Sequence, residues 1–303
     1  MAANTERIQD GALTIKFSPD YPLTPQQRSK LVLSLELAQR VLRKAIAALD
    51  AVLTDPEPRP STIGSIAYKV LRSHFKFAKL ELDPTLGGRF GGADWTQWMQ
   101  DARHVRQVYE RLLLALGQPI TIADAHASTM RKSEPVCFEA LARKYDIFDT
   151  LHAVPVAQKM LLAQAAQLMA GAESAQTAGF VSPKRAKVAS LTADELARRK
   201  AHDPSLTILP DEKGSIHINF ASLLHGEQYR KLQVARTIIH EASHKFCDTR
   251  DIAYSFHDGY KSMTRPQALL NADSYAYAAV SLYKDHVFAD SRAMEQSTMD
   301  LDG

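Results

Sequence analysis

Cysteine is almost missing from this chain: there are two in 303 residues, Cys137 and Cys247. Two thiols cannot build the disulfide framework that stands in for a core in small secreted domains. A chain of this length can bury a core without one. Long apolar runs are missing too, since none approaches the ~20 residues of a bilayer-crossing helix. The opening segment, Met1–Asp10, lacks the apolar stretch of a secretory signal. Nor does charge of one sign dominate: 37 Lys and Arg stand against 34 Asp and Glu, a net +3. That balance is too mild for a nucleic-acid surface. The basic clusters Lys184-Arg185-Lys187 and Arg198-Arg199-Lys200 read as solvated surface. The expectation is a chain without membrane span or nucleic-acid partner. It is made in the cytoplasm without a signal peptide, and stays there or leaves by a specialised secretion route.

What is present is ordinary for a globular protein, 45% hydrophobic and 23% charged. Residues 12–17 suit a short strand. Thr24-Pro25-Gln26-Gln27 then opens a helix, with a Thr cap, Pro in the first turn and Gln completing a capping box. Leu31, Leu35, Ala38, Leu42, Ala45, Leu49 and Val52 keep the 3/4 spacing of one buried face to about residue 53. Three prolines in 55–60 end it. A helix is expected over 63–77, a Gly-rich loop at 87–92, and a further helix from Trp95 to Leu116, stopped at Gly117. Residues 138–144, 155–170 and 193–200 also read as helical, within a polar stretch of weak periodicity that suggests an insertion or lid at 131–210. Ser215–Phe220 alternates like a strand, with Ile216, Ile218 and Phe220 on one face. The class is therefore α+β: one domain over 1–303, with a helical half at 1–130 and a site-bearing part at 211–303.

The chemistry sits at His240-Glu241-Ala242-Ser243-His244. Residues 228–246 read as a largely buried helix, with Leu232, Ala235, Ile239, Ala242 and Phe246 on one face. Residues four apart stack on one side of a helix, so His240 and His244 can both reach one Zn²⁺ at about 2.0–2.1 Å. Glu241 lies beside the ion's open position, where it can take a proton from water. Cys247 follows His244 by three residues, points away from the pair and reads as a buried thiol.

A catalytic zinc takes three protein ligands. The metzincin pattern fails, because Cys247 and Arg250 stand where Gly and His are required. A thermolysin-like ligand would be a downstream Glu, and the only one is Glu295 in a polar tail. Asp251 and His257 remain.

The segment Asp248-Thr249-Arg250-Asp251-Ile252-Ala253-Tyr254-Ser255 resembles the Gly-Thr-x-Asp-x-x-Tyr-Gly stretch of the aspzincins, the deuterolysin and lysine-specific metalloendopeptidase family. Asp248 and Ser255 replace its two glycines. Asn271-Ala272-Asp273-Ser274-Tyr275 resembles the Asn-Ala-Asp-x-Tyr stretch that follows in the family. It lies on a helix that opens with its own capping box, Thr264-Arg265-Pro266-Gln267. The likeness covers roughly 216–283 and extends to the opening helix.

The resemblance implies a zincin-like fold, helix-rich with a small sheet beside the zinc helix. It implies Asp251 as third zinc ligand and Tyr254 as the phenol that stabilises the transition state. In lysine-specific members an acidic pair on the later helix receives the substrate lysine; here Asp273 is present and Ala276 takes the partner's place. The other role open to Asp273 is to accept the N–H of a ligating imidazole. The implied activity is zinc-dependent endopeptidase hydrolysis of a protein or peptide, with substrate laid along the strand of Ile216 and Ile218. The alternatives are a zinc hydrolase of another amide such as a cell-wall peptide, and a zinc-binding protein without activity. A protease without signal or pro-segment calls for restraint, which suggests a delivered effector or toxin held by an inhibitor or immunity partner.

Overall fold

A computed structural model describes residues 4–8, 13–17, 22–54, 60–80, 82–83, 89–90, 92–124, 179–183, 213–224, 229–255 and 258–288. The helices expected at 138–144, 155–170 and 193–200, both basic clusters, Cys137, His257 and Glu295 lie outside them.

Helix α1 spans Pro25–Leu53. Both capping-box bonds are made: the Gln27 amide donates to Thr24 Oγ1 at 3.2 Å, and the Thr24 amide donates to Gln27 Oε1 at 3.0 Å. Its apolar stripe, Leu31, Ala38, Leu42, Ala45 and Leu49, is wholly buried. Each such leucine contributes on the order of 1.5–3 kcal/mol by leaving water. Helix α4 (Gly92–Leu116) packs along α1, and Gly117 ends it by donating to Leu113 O.

The helix expected over 63–77 is two helices, α2 (Pro60–Gly64) and α3 (Ile66–Phe75). Ser65 divides them. Its hydroxyl donates to the Thr62 carbonyl at 2.6 Å and accepts from the Tyr68 amide at 3.1 Å, so it caps a new helix instead of continuing the old one.

The strands β1 (Asn4–Ile8), β2 (Leu13–Phe17), β5 (Ile120–Asp124), β6 (Gly179–Pro183) and β7 (Lys213–Ile218) form one sheet in the order β1-β2-β5-β7-β6. β2, β5 and β7 run parallel, with an antiparallel strand at each edge. A two-stranded ribbon, β3 (Leu82–Asp83) and β4 (Arg89–Phe90), stands apart. The main sheet joins strands from residue 4 to residue 218, and the main hydrophobic core runs from Leu13 to Phe288. β6 lies inside the stretch expected to be an insertion, and it is a sheet strand there because β7 supplies its partner.

Two expectations for β7 are corrected. It is flanked by β5 and β6, so both its edges are paired and no peptide can join it as an added strand. Ile216 and Ile218 are fully buried; they hold the sheet to the core and cannot line a substrate subsite.

After the short helix α5 (Phe220–Leu223) comes α6 (Lys231–Cys247), which packs against α1, α4, β6 and β7. Helices α7 (Asp258–Ser262), α8 (Arg265–Leu270) and α9 (Ala272–Tyr283) follow. The α+β class and the small sheet beside α6 are thus present. The expected single helix from Thr264 to Tyr283 is broken at Asn271, whose backbone is extended (φ −89°, ψ 123°). The cause is tertiary: Arg250 inserts as a bridge, donating to Leu270 O at 2.7 Å and accepting from the Ala272 amide at 3.0 Å.

Candidate metal centre

Helix α6 delivers two side chains and the loop after it delivers a third. His240 and His244 lie one turn apart with their rings edge to face, centroids 4.8 Å from each other and Nε2 atoms 3.1 Å apart. Asp251 Oδ1 lies 3.0 Å from His240 Nε2 and 3.2 Å from His244 Nε2. His240, His244 and Asp251 form the one candidate metal-ligating cluster among the described residues.

The outer ring nitrogens settle the tautomers. His244 Nδ1 lies 2.8 Å from the Thr249 carbonyl, an oxygen that can only accept, so that nitrogen carries the proton. His240 Nδ1 lies 2.7 Å from Asp273 Oδ1, and an ionised carboxylate also only accepts. Neutral rings held this way turn both Nε2 lone pairs inward, towards each other and Asp251. Three acceptors within 3.2 Å repel unless a proton or a metal ion sits among them. Donors about 2.05 Å from one ion at tetrahedral angles stand about 3.3 Å apart. The cluster therefore fits a zinc-sized ion in spacing and in donor chemistry.

The electrostatics point the same way. Burial works against charge on His240, but the bonds to Asp251 and Asp273 outweigh it and hold its pKa well above the usual value, so the corner draws positive charge, a proton or a metal ion. Burial pushes the Asp251 carboxyl up, and the two imidazoles override it, holding Asp251 well below the usual carboxylate range. Asp273 behaves alike: burial raises it, the His240 bond and the Arg236 charge outweigh that, and its carboxyl is held below the usual range.

Glu241 is 3% exposed. Its Oε1 lies 3.9 Å from His240 Nε2, and its Oε2 is buried with no hydrogen-bond partner among the described residues. Burial is the main force raising its pKa to about 7; the histidines pull it down, and Asp251 and Asp273 push it up. A buried carboxyl that exchanges a proton near neutrality suits a general base. The Tyr254 ring lies nearly parallel to the His240 ring, 6.2 Å between centroids. Burial, then the charges of Asp251 and Glu241, raise its phenol far above the ordinary value, so it remains a donor.

Asp248, where the aspzincin pattern has glycine, sits in the left-handed region at φ 56° as the C-cap of α6. Glycine takes that conformation freely and Asp tolerates it. Ser255, at the second glycine position, is not in that region. Cys247 is half-buried, its Sγ 3.9 Å from the Val108 carbonyl, outside the cluster.

Asp273 is 3% exposed and both its oxygens are engaged, Oδ1 by His240 and Oδ2 by the Ser255 amide at 2.7 Å. Ala276 is fully buried. The lysine-receiving role is the one this placement does not serve; the imidazole-holding role is the one it does. Nothing in the sequence marks the Thr249 carbonyl or Asn271 as part of the site. A backbone carbonyl leaves no trace in residue identity, while Asn271 stood in the Asn-Ala-Asp stretch without an assigned function.

The chain matches no model of a known protein family and no curated protein.

Proposed function

We propose that this protein is a zinc-dependent endopeptidase of zincin-like build. The observation that carries the reading is the convergence of His240 Nε2, His244 Nε2 and Asp251 Oδ1 within 3.2 Å beside the buried carboxyl of Glu241. A zinc ion at those three atoms supplies a water of lowered pKa and a Lewis acid for the scissile carbonyl.

The chain's own residues do the rest. Glu241 accepts the water's proton and returns it to the leaving amine, a transfer that its buried carboxyl beside His240 is placed to make. Tyr254, kept protonated, donates a hydrogen bond to the oxygen on which negative charge develops. Asp273 and the Thr249 carbonyl keep the proton on the outer nitrogen of each histidine. With β7 paired on both sides, the edge strand next to α6 among the described residues is β6, and its outer edge is where an extended peptide would lie.

Zinc quantification, combined with proteome-wide cleavage mapping of wild type against Glu241→Gln, tests the proposal. The expected result is about one zinc per chain in both proteins and new peptide termini only with wild type. Cleavage of a cell-wall peptide with no protein cleavage would redirect the activity to another amide. Zinc without any hydrolysis would make the site structural.

A further inference from the structure

The loop that carries Asp251 and Tyr254 has no regular structure of its own, yet three of its amides end on two side chains of another element. The amides of Ile252 and Ala253 both donate to Asn271 Oδ1, at 3.0 and 3.1 Å. The Ser255 amide donates to Asp273 Oδ2 at 2.7 Å. Asp251 precedes the first of these anchors and Tyr254 lies between the last two. Asn271 is fully buried, and its Nδ2 donates to Ser274 Oγ at 3.2 Å, which fixes the carboxamide with its oxygen towards the loop. The Arg250 bridge to Leu270 and Ala272 fastens the loop's start to the same place. Meanwhile the second oxygen of Asp273 holds His240 on α6.

We infer that Asn271 and Asp273 are positioning residues: together they set where Asp251 and Tyr254 stand relative to His240. This rests on the proposed zinc reading, since it is the separation of ligand atoms that they govern. Asn271 acts on the ligand's backbone from one side. Asp273 ties the far end of the loop and a ligating imidazole through a single carboxylate, so neither can shift without the other. The break between α8 and α9 acquires a purpose here. An unbroken helix would take the Leu270 carbonyl and the Ala272 amide into its own ladder and leave no bridge for Arg250.

The test uses the full chain with Asn271→Leu, which keeps the shape and removes the acceptor, Asn271→Asp, which keeps an acceptor, and Asp273→Asn. An amide nitrogen at position 273 must face either the His240 Nδ1 proton or the Ser255 N–H, donor against donor. Zinc affinity is measured by chelator competition, amide exchange at residues 252, 253 and 255 in metal-free protein, and the His240 ring tautomer by nitrogen-15 chemical shifts. Asn271→Leu should lose protection at Ile252 and Ala253 and bind zinc about 10- to 100-fold more weakly, with Asn271→Asp restoring both. Asp273→Asn should weaken zinc by a similar factor, and either move the His240 proton to Nε2 or expose the Ser255 amide. Wild-type zinc affinity in folded Asn271→Leu and Asp273→Asn overturns the inference, because a merely structural pair would lower the melting temperature alone. If Asn271→Leu does not fold, Asp273→Asn decides. A wild-type chain that takes up no zinc sinks the proposed function instead, and the amide exchange still reads the positioning.

Discussion

The Nε2 atoms of His240 and His244 face each other at 3.1 Å, and when both rings are neutral neither has a proton to offer, because Thr249 and Asp273 claim the outer ring nitrogens. With Asp251 Oδ1 they make a three-acceptor corner that a cation stabilises and water alone satisfies poorly. One divalent ion per chain is therefore expected at this corner. Anomalous scattering measured at the zinc edge locates it. A peak centred on His257 or Glu295 in place of Asp251 would refute the ligand set.

Glu241→Gln should keep the metal, since Glu241 is not in the three-atom cluster. It should lower kcat by at least ~10²-fold, because the amide cannot take up a proton. Steady-state kinetics beside metal analysis checks both halves. Near-wild-type turnover removes the general-base role.

In the proposed mechanism Tyr254→Phe removes a donor that acts on developing charge and hardly at all on bound substrate. It should lower kcat and kcat/KM together with KM nearly unchanged. The loss should be on the order of 2–4 kcal/mol, about 30- to 10³-fold. A lower melting temperature with kcat intact would instead make Tyr254 a packing residue beside His240.

His74 gives a pH signature remote from the corner. It is buried on α3 against α7 and α9, with Nδ1 2.8 Å from Tyr260 Oη and Nε2 3.2 Å from Ser281 Oγ. Burial is the main cause of its pKa falling from 6.5 to about 3, with Lys76 adding to it and Asp273 opposing. The unfolded chain thus binds this proton more readily than the folded one. The associated stability is present above pH ~6.5 and is lost as pH falls towards 3, at up to about 1.4 kcal/mol per unit. Denaturant unfolding between pH 7 and 4 should show a shallower acid slope for His74→Gln than for wild type. Equal slopes would mean His74 is not kept neutral.

Much of the site's skeleton was legible in the residues because it is local. His240 and His244 share a face by helical period alone, and Glu241 follows from adjacency. The Thr24 cap and the stripe of α1 are read in the same way, from bonds that span three or four residues. Helical hydrogen bonding repeats regularly along the chain, so the chain's own order predicts it.

What the tertiary structure decided lies where hydrogen bonds cross long separations. Nothing in the order of residues from Thr264 to Tyr283 announces a break at Asn271; Arg250 causes it from another element. The alternation of β7 suited an edge strand as well as an inner one, and only pairing with β5 and β6 showed that Ile216 and Ile218 are core. For Asp251 the residues left His257 open beside it, the aspzincin resemblance pointed to Asp251, and the fold brought its carboxylate to the histidines. Asp273 was compatible with holding a substrate lysine or a histidine until its two oxygens met His240 and Ser255, 33 and 18 residues away. A side chain's chemistry says what it can bind. Which partner it meets depends on how distant elements pack, and that is set by the burial of the whole core and not by its neighbours in the chain.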